Sequence, residues 1–134
     1  MSKLLERLRD PVRSGVYRAM RSDAIDEVMP DAAQIDLKDG NALRAFAQAL
    51  NFPDWFGANW DALEDCLGDL SWRPGEGHVL VLRNWQALST DDLGVLLDVL
   101  RSSADFWSGR GKAFFAVLID PKGKLALPPL HRDR

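Results

Sequence analysis

Basic residues are missing from the middle of this chain: between Arg44 and Arg73 there is no lysine or arginine. Cysteine is scarce as well. Cys66 stands alone, which excludes an intramolecular disulfide and fits a reducing compartment. His78 and His131 are the only histidines, and no zinc-ligand spacing, glycine-rich phosphate loop or nucleophile elbow is found. Internal repeats and low-complexity tracts are absent. No stretch approaches the roughly 20 apolar residues of a membrane span. The N-terminal MSKLLERLRDPVR lacks the uninterrupted apolar run of a signal peptide, so a cytoplasmic protein without a membrane partner is expected. Net charge is −3 and pI is near 5.3, which argues against direct nucleic-acid binding, because phosphates need a basic footprint.

Acids and aromatics fill the gap in basic residues. The run FPDWFGANWDALEDCLGDLSW, from Phe52 to Trp72, holds Asp54, Asp61, Glu64, Asp65 and Asp69 among Trp55, Phe56, Trp60 and Trp72. Gly57 and Asn59 punctuate the end of a loop, and Asn59 is a suitable N-cap for a helix starting at Trp60. On that helix Trp60, Leu63, Leu67 and Leu70 make one apolar face. Asp61, Asp65 and Asp69 recur every four residues beside it, with Glu64 adjacent. Like charges at this spacing cost roughly 0.2–0.5 kcal/mol per pair, or ~1 kcal/mol over Asp61–Asp65, Asp65–Asp69 and Asp61–Glu64. The helix dipole favours Asp61 in the first turn but no longer helps Asp65 and Asp69. A negative, aromatic, rigid surface of this kind suits a basic partner.

With 134 residues, 46% hydrophobic and 28% charged, the chain fits one small globular domain. Leu4, Leu5 and Leu8 suggest a short helix before Pro11. Gly15–Met20 suggests a strand, and Ser22–Val28 a helix capped by Ser22 or Asp23. Gln34–Leu37 reads as a strand before the Asp39-Gly40 turn. Asn41 caps a helix with Leu43, Phe46 and Leu50 inward. His78–Arg83 is a β-rich run after Pro74-Gly75. Ser89 and Asp92 resemble a capping box for a helix carrying Leu93, Leu96, Leu97, Leu100 and Trp107. Ala113–Ile119 is a near-continuous apolar run, as for a strand covered on both faces. This alternation predicts an α/β fold with a parallel sheet, helices packed on it and right-handed crossovers.

The run FPDWFGANWDALEDCL resembles the signature of the barstar family, intracellular inhibitors of barnase-type ribonucleases. The matching features are the aromatic pair before Gly57, then Asn59, the triplet Asp61–Leu63, and Asp65-Cys66-Leu67. The resemblance is densest over residues 50–72 and extends more weakly from about Ala33 to Ile119. It implies a small three- to four-stranded parallel sheet, with the Gly15–Met20 segment as the added strand. On this reading residues 1–32 are an extension packed on the main domain, 33–120 form the barstar-like domain, and 121–134 are a loose tail. The resemblance also implies a basic ribonuclease as partner. Asp65 matches the family carboxylate that mimics an RNA phosphate, and Asp61 matches a second that pairs with basic residues around the cleft. Trp55 and Asn59 match contacts on the preceding loop.

The chain also departs from the family pattern. Glu64 stands where an aromatic is usual, and Gly68-Asp69-Leu70 replaces a Thr-Gly-aromatic contact stretch. The family's acidic contact on the later helix is not clearly kept: Gly94 falls near its position, with Asp91 and Asp92 as the alternatives. The partner-binding set is therefore Trp55, Asn59, Asp61, Glu64, Asp65, Gly68 and Asp69.

Plainer roles stand beside these. Trp55 suits an exposed end of the core, and Asn59 suits capping alone. Trp85 and Trp107 read as packing residues, and Cys66 as a buried structural thiol rather than half of a Cys–His pair. Asp61 and Asp65 at i, i+4 have the spacing to share a divalent metal, yet free carboxylates on an acidic helix are commoner, and no cofactor or metal is expected. Three function classes remain: a ribonuclease inhibitor, an immunity or regulatory module against another partner, and a carboxylate-based metal-dependent hydrolase. They rank in that order, and an enzyme is not expected.

Overall fold

The computed structural model describes residues 2–73 and 75–131. Four parallel strands form one sheet: β1 (Gly15–Ala19), β2 (Ala33–Asp36), β3 (His78–Arg83) and β4 (Phe114–Ile119), in the order β1-β4-β3-β2. β4 is central, pairing with β1 through Val16↔Ala116 and with β3 through Leu80↔Ala116. β2 joins the other side of β3, with Ile35 opposite Leu82. Leu37 lies just past β2, and its N–H still reaches the Arg83 carbonyl at 2.9 Å.

Strand side chains alternate between faces, so the apolar runs of β3 and β4 feed two cores. Leu80, Leu82, Phe114, Ala116 and Leu118 point to one face. There they meet α3 (Ala42–Leu50), α4 (Trp60–Asp69) and α5 (Thr90–Gly109) through Phe46, Leu50, Leu63, Leu67, Leu96 and Leu100. Val79, Val81, Phe115 and Val117 point to the other face. That face is covered by Leu8 of α1 (Lys3–Leu8), Ile25 of α2 (Asp23–Val28) and Leu130. Residues before β2 thus supply both an edge strand and the covering layer on the second face.

Three local expectations are corrected. The segment after Pro121 is not loose over its described part, which ends at 131. Arg18 donates from its N–H to the Pro128 carbonyl at 3.0 Å and receives the Leu130 N–H at 2.9 Å, sealing the free edge of β1. Leu127 and Leu130 are buried. These two apolar residues, separated by prolines, carry no periodic signal. Residues 132–134 lie outside the described residues.

Ser22 precedes α2 but makes no capping bond. Its hydroxyl donates to Asp26 Oδ2 at 2.8 Å and accepts from the Arg83 guanidinium, a residue distant in sequence. At the start of α5 only half of a capping box forms: Ser89 Oγ accepts the Asp92 N–H at 3.1 Å.

Candidate functional site

The aromatic loop between α3 and α4 is pinned from below. Asn51 ends α3 in the left-handed conformation at φ 52°, and Phe52 donates back to the Ala47 carbonyl at 3.0 Å. Phe52 packs edge-on to Phe56 with ring centroids 4.9 Å apart, and to Trp72 at 6.1 Å. The Trp72 indole N–H donates to the Leu50 carbonyl at 2.8 Å. With its neighbours tied inward, Trp55 remains 59% exposed at the loop surface. The backward turn before the helix falls on Ala58 at φ 52°, not on Gly57. A residue with a Cβ held there costs on the order of 1 kcal/mol.

α4 begins as its sequence demands. Asn59 Oδ1 accepts the Ala62 N–H at 2.7 Å, a side-chain N-cap. Leu63, Cys66 and Leu67 are fully buried, whereas Asp61, Glu64, Asp65 and Asp69 are exposed. A rise of about 1.5 Å per residue spaces Asp61, Asp65 and Asp69 by about 6 Å along one stripe. Among the described residues none of these carboxylates takes part in an ion pair; the pairs present are Arg21–Asp23, Arg83–Asp26 and Arg101–Asp98. Asp69 accepts the Ser71 N–H at 3.3 Å at the end of the helix. Leu70, in the left-handed conformation at φ 47°, caps α4 and is buried, so it supplies no contact surface.

Glu64, Asp65, Gly68 and Asp69 line one wall of a groove of about 520 Å³. Ser102, Ser103 and Phe106 of α5 line the other. Phe106 is 41% exposed, and the Arg110 guanidinium stacks 4.5 Å from its ring centre. A Cβ at Gly68 would lie 3.9 Å from Phe106 Cε2, in ordinary contact across the groove. The structure therefore gathers Glu64, Asp65, Gly68 and Asp69, with Asp61 one turn back on the same stripe. Asn59 is engaged in its cap, and Trp55 stands on the separate loop.

The α5 wall was not legible in the sequence. Asp91 and Asp92 lie in the first turn of α5, about 16 Å along the axis from Ser102 and Ser103. Neither they nor Gly94 line the groove. The one available signal was Phe106, an aromatic just outside the buried stripe that Trp107 completes.

Cys66 and His78 give no reactive pair. Burial, then the negative charges of Asp65 and Asp69, push the Cys66 thiol up, the opposite of what a thiolate nucleophile requires. His78 packs edge-on to Trp107 with ring centroids 4.9 Å apart, and close to Phe114. No group of three or more His, Cys, Asp or Glu side chains positioned to hold a metal occurs among the described residues. No helix of the described residues is long and apolar enough to cross a membrane.

Comparison with known proteins adds one finding. The family model described as Barstar (barnase inhibitor) matches residues 31–119, a span holding β2 to β4, the aromatic loop, α4 and α5. No curated protein matches the chain. The match takes in most of the chain and every residue of the acidic groove, and the chain belongs to the barstar family.

Proposed function

We propose that this protein inhibits a basic, barnase-like ribonuclease by seating the acidic face of α4 and the Trp55 loop in the nuclease's active-site cleft. Barstar membership supports a ribonuclease-inhibitor role in general, and members of the family are inhibitors rather than enzymes. The observation that carries the finer reading is the row Asp61, Asp65 and Asp69 with Glu64. These carboxylates are exposed and make no ion pair among the described residues, on a helix whose start is capped and whose apolar side is buried.

A ribonuclease must hold a phosphodiester, so its cleft presents cationic donors. A fixed carboxylate entering that cleft takes charge-assisted hydrogen bonds in place of a phosphate oxygen. Asp65 fills that role and Asp61 pairs beside it. Trp55 packs on the nuclease surface at small entropic cost. Glu64, Gly68 and Asp69 extend the contact into the groove. The negative field of α4 speeds encounter, an effect that weakens with added salt. The reading places the protein in the cytoplasm, where a lone buried thiol stays reduced.

A second reading, the same surface directed at a partner that is not a ribonuclease, is favoured by the residues lining the groove. Glu64 stands there in place of the usual aromatic, and Gly68 and Asp69 in place of the Thr-Gly-aromatic contact stretch.

Titration of the protein into a barnase-like ribonuclease, following RNA cleavage, separates the two. The inhibitor reading expects one-to-one inhibition that Asp65→Ala weakens by several kcal/mol while the fold loses little, because truncation leaves the partner's cations unpaired. No inhibition by the folded protein sends the surface to the second reading. Equal loss of folding and binding in Asp65→Ala would remove the carboxylate from the contact.

A further inference from the structure

A second cavity, of about 530 Å³, opens where α1 meets the N-terminal ends of β3 and β4. It shares no lining residue with the acidic groove. Leu8 and Arg9, from the segment before the family match, form one side, and Arg73 and His78 form the other. His78 is 8% exposed, and its ring lines the cavity without a hydrogen-bond partner among the described residues. The ring nitrogens are not sealed from solvent, so a molecule entering the cavity can meet them. Arg9 and Arg73 also line the cavity, and neither guanidinium makes an ion pair among the described residues.

We propose that this cavity binds a small molecule carrying an oxyanion, phosphate or carboxylate, on an apolar body. The two free guanidiniums hold the oxyanion with charge-assisted bonds, and the His78 ring supplies a further polar contact. Leu8, Met29 and Val79 give the apolar wall for the rest of the ligand, and the volume lies in the range of small-molecule sites. Burial first, then the charges of Arg73 and Lys112, push the His78 imidazole down to about 4, so the ring meets a ligand in its neutral form at neutral pH. Asp31 and Glu76 are exposed lining residues that pair with neither arginine, so the guanidiniums are left to a ligand.

The test is NMR titration of the full chain with phenyl phosphate and, separately, phenylacetate, following the two histidine ring signals. The expected result is a saturable shift of the His78 signal with at least one probe. The preferred probe distinguishes a phosphate from a carboxylate ligand. Arg73→Gln should weaken that binding roughly tenfold, while Asp65→Ala on the opposite groove leaves it unchanged. Arg9→Gln, at an exposed position, provides a second variant should Arg73→Gln lower the melting temperature. No saturable shift with either probe, or shifts that persist undiminished in both arginine variants, overturns the proposal.

Discussion

The indole N–H of Trp107 on α5 donates to the carbonyl oxygen of Leu67 on α4 at 2.7 Å, and both residues are buried. Leu67 lies in the last turn of α4, where backbone carbonyls have no partner within the helix. The bond therefore satisfies an otherwise orphaned acceptor and ties the acidic helix to its counter-helix. Trp107→Phe keeps most of the ring and removes the donor. The expected loss is about 1–3 kcal/mol in urea denaturation. A change within a few tenths would show that the carbonyl finds another donor.

Asn59 separates capping from contact. Asn59→Ala should cost about 1 kcal/mol of stability, the usual value of an N-cap, because Asn59 Oδ1 holds the Ala62 N–H. Asn59→Asp keeps a cap oxygen and should fold like the parent. If both variants lose partner affinity equally, the Asn59 amide is a contact in its own right. If only Asn59→Ala loses affinity, the residue acts through the helix start.

The segment after β4 contributes to the fold. Leu130 is fully buried against the second face of the sheet and its N–H bonds to Arg18. Leu130→Ala should destabilise by about 2–5 kcal/mol, the range for a buried leucine truncation. Pro128→Ala, at an exposed neighbouring position, is the control and should change stability by under about 0.5 kcal/mol. A neutral Leu130→Ala in thermal melts would mean that the segment is detached in solution.

His78 makes stability depend on pH in a defined direction. Its folded pKa, about 4, lies below the ordinary 6.5, because burial and the nearby Arg73 and Lys112 disfavour the imidazolium. The unfolded chain therefore takes up the proton first. The contribution is complete above about 6.5 and is lost as pH falls through about 4. Allowing for solvent at the cavity mouth, the loss is roughly 2 kcal/mol. Subtracting the stability profile of His78→Gln from that of the parent cancels the carboxylates and isolates this term. A flat difference between pH 7 and pH 4 would show that the imidazole titrates normally.

Local relations were legible in the sequence because they are relations between residues three or four apart. The Asn41 and Asn59 caps, the buried stripe of α4 and the exposed acidic stripe beside it all follow from helical geometry and side-chain chemistry. The apolar continuity of β3 and β4 likewise announced strands buried on both faces. Ser22 shows where such reasoning fails: its type predicted a cap, but Arg83 and Asp26 took its hydroxyl. A local preference worth about 1 kcal/mol yields when a charged partner arrives from a distant strand.

The sequence by itself determined that this protein has a capped, unneutralised acidic helix behind an aromatic loop, in an alternating α/β chain. Tertiary structure alone decided what faces that helix. Ser102, Ser103 and Phe106, rather than Asp91 or Asp92, complete the groove, because the crossing of α5 over α4 places the later turns there. It also decided that the residues before β2 cover the second face of the sheet, and that they form a cavity with Arg73 and His78. No periodicity encodes those meetings. They arise when separate apolar surfaces find the one arrangement that buries them together.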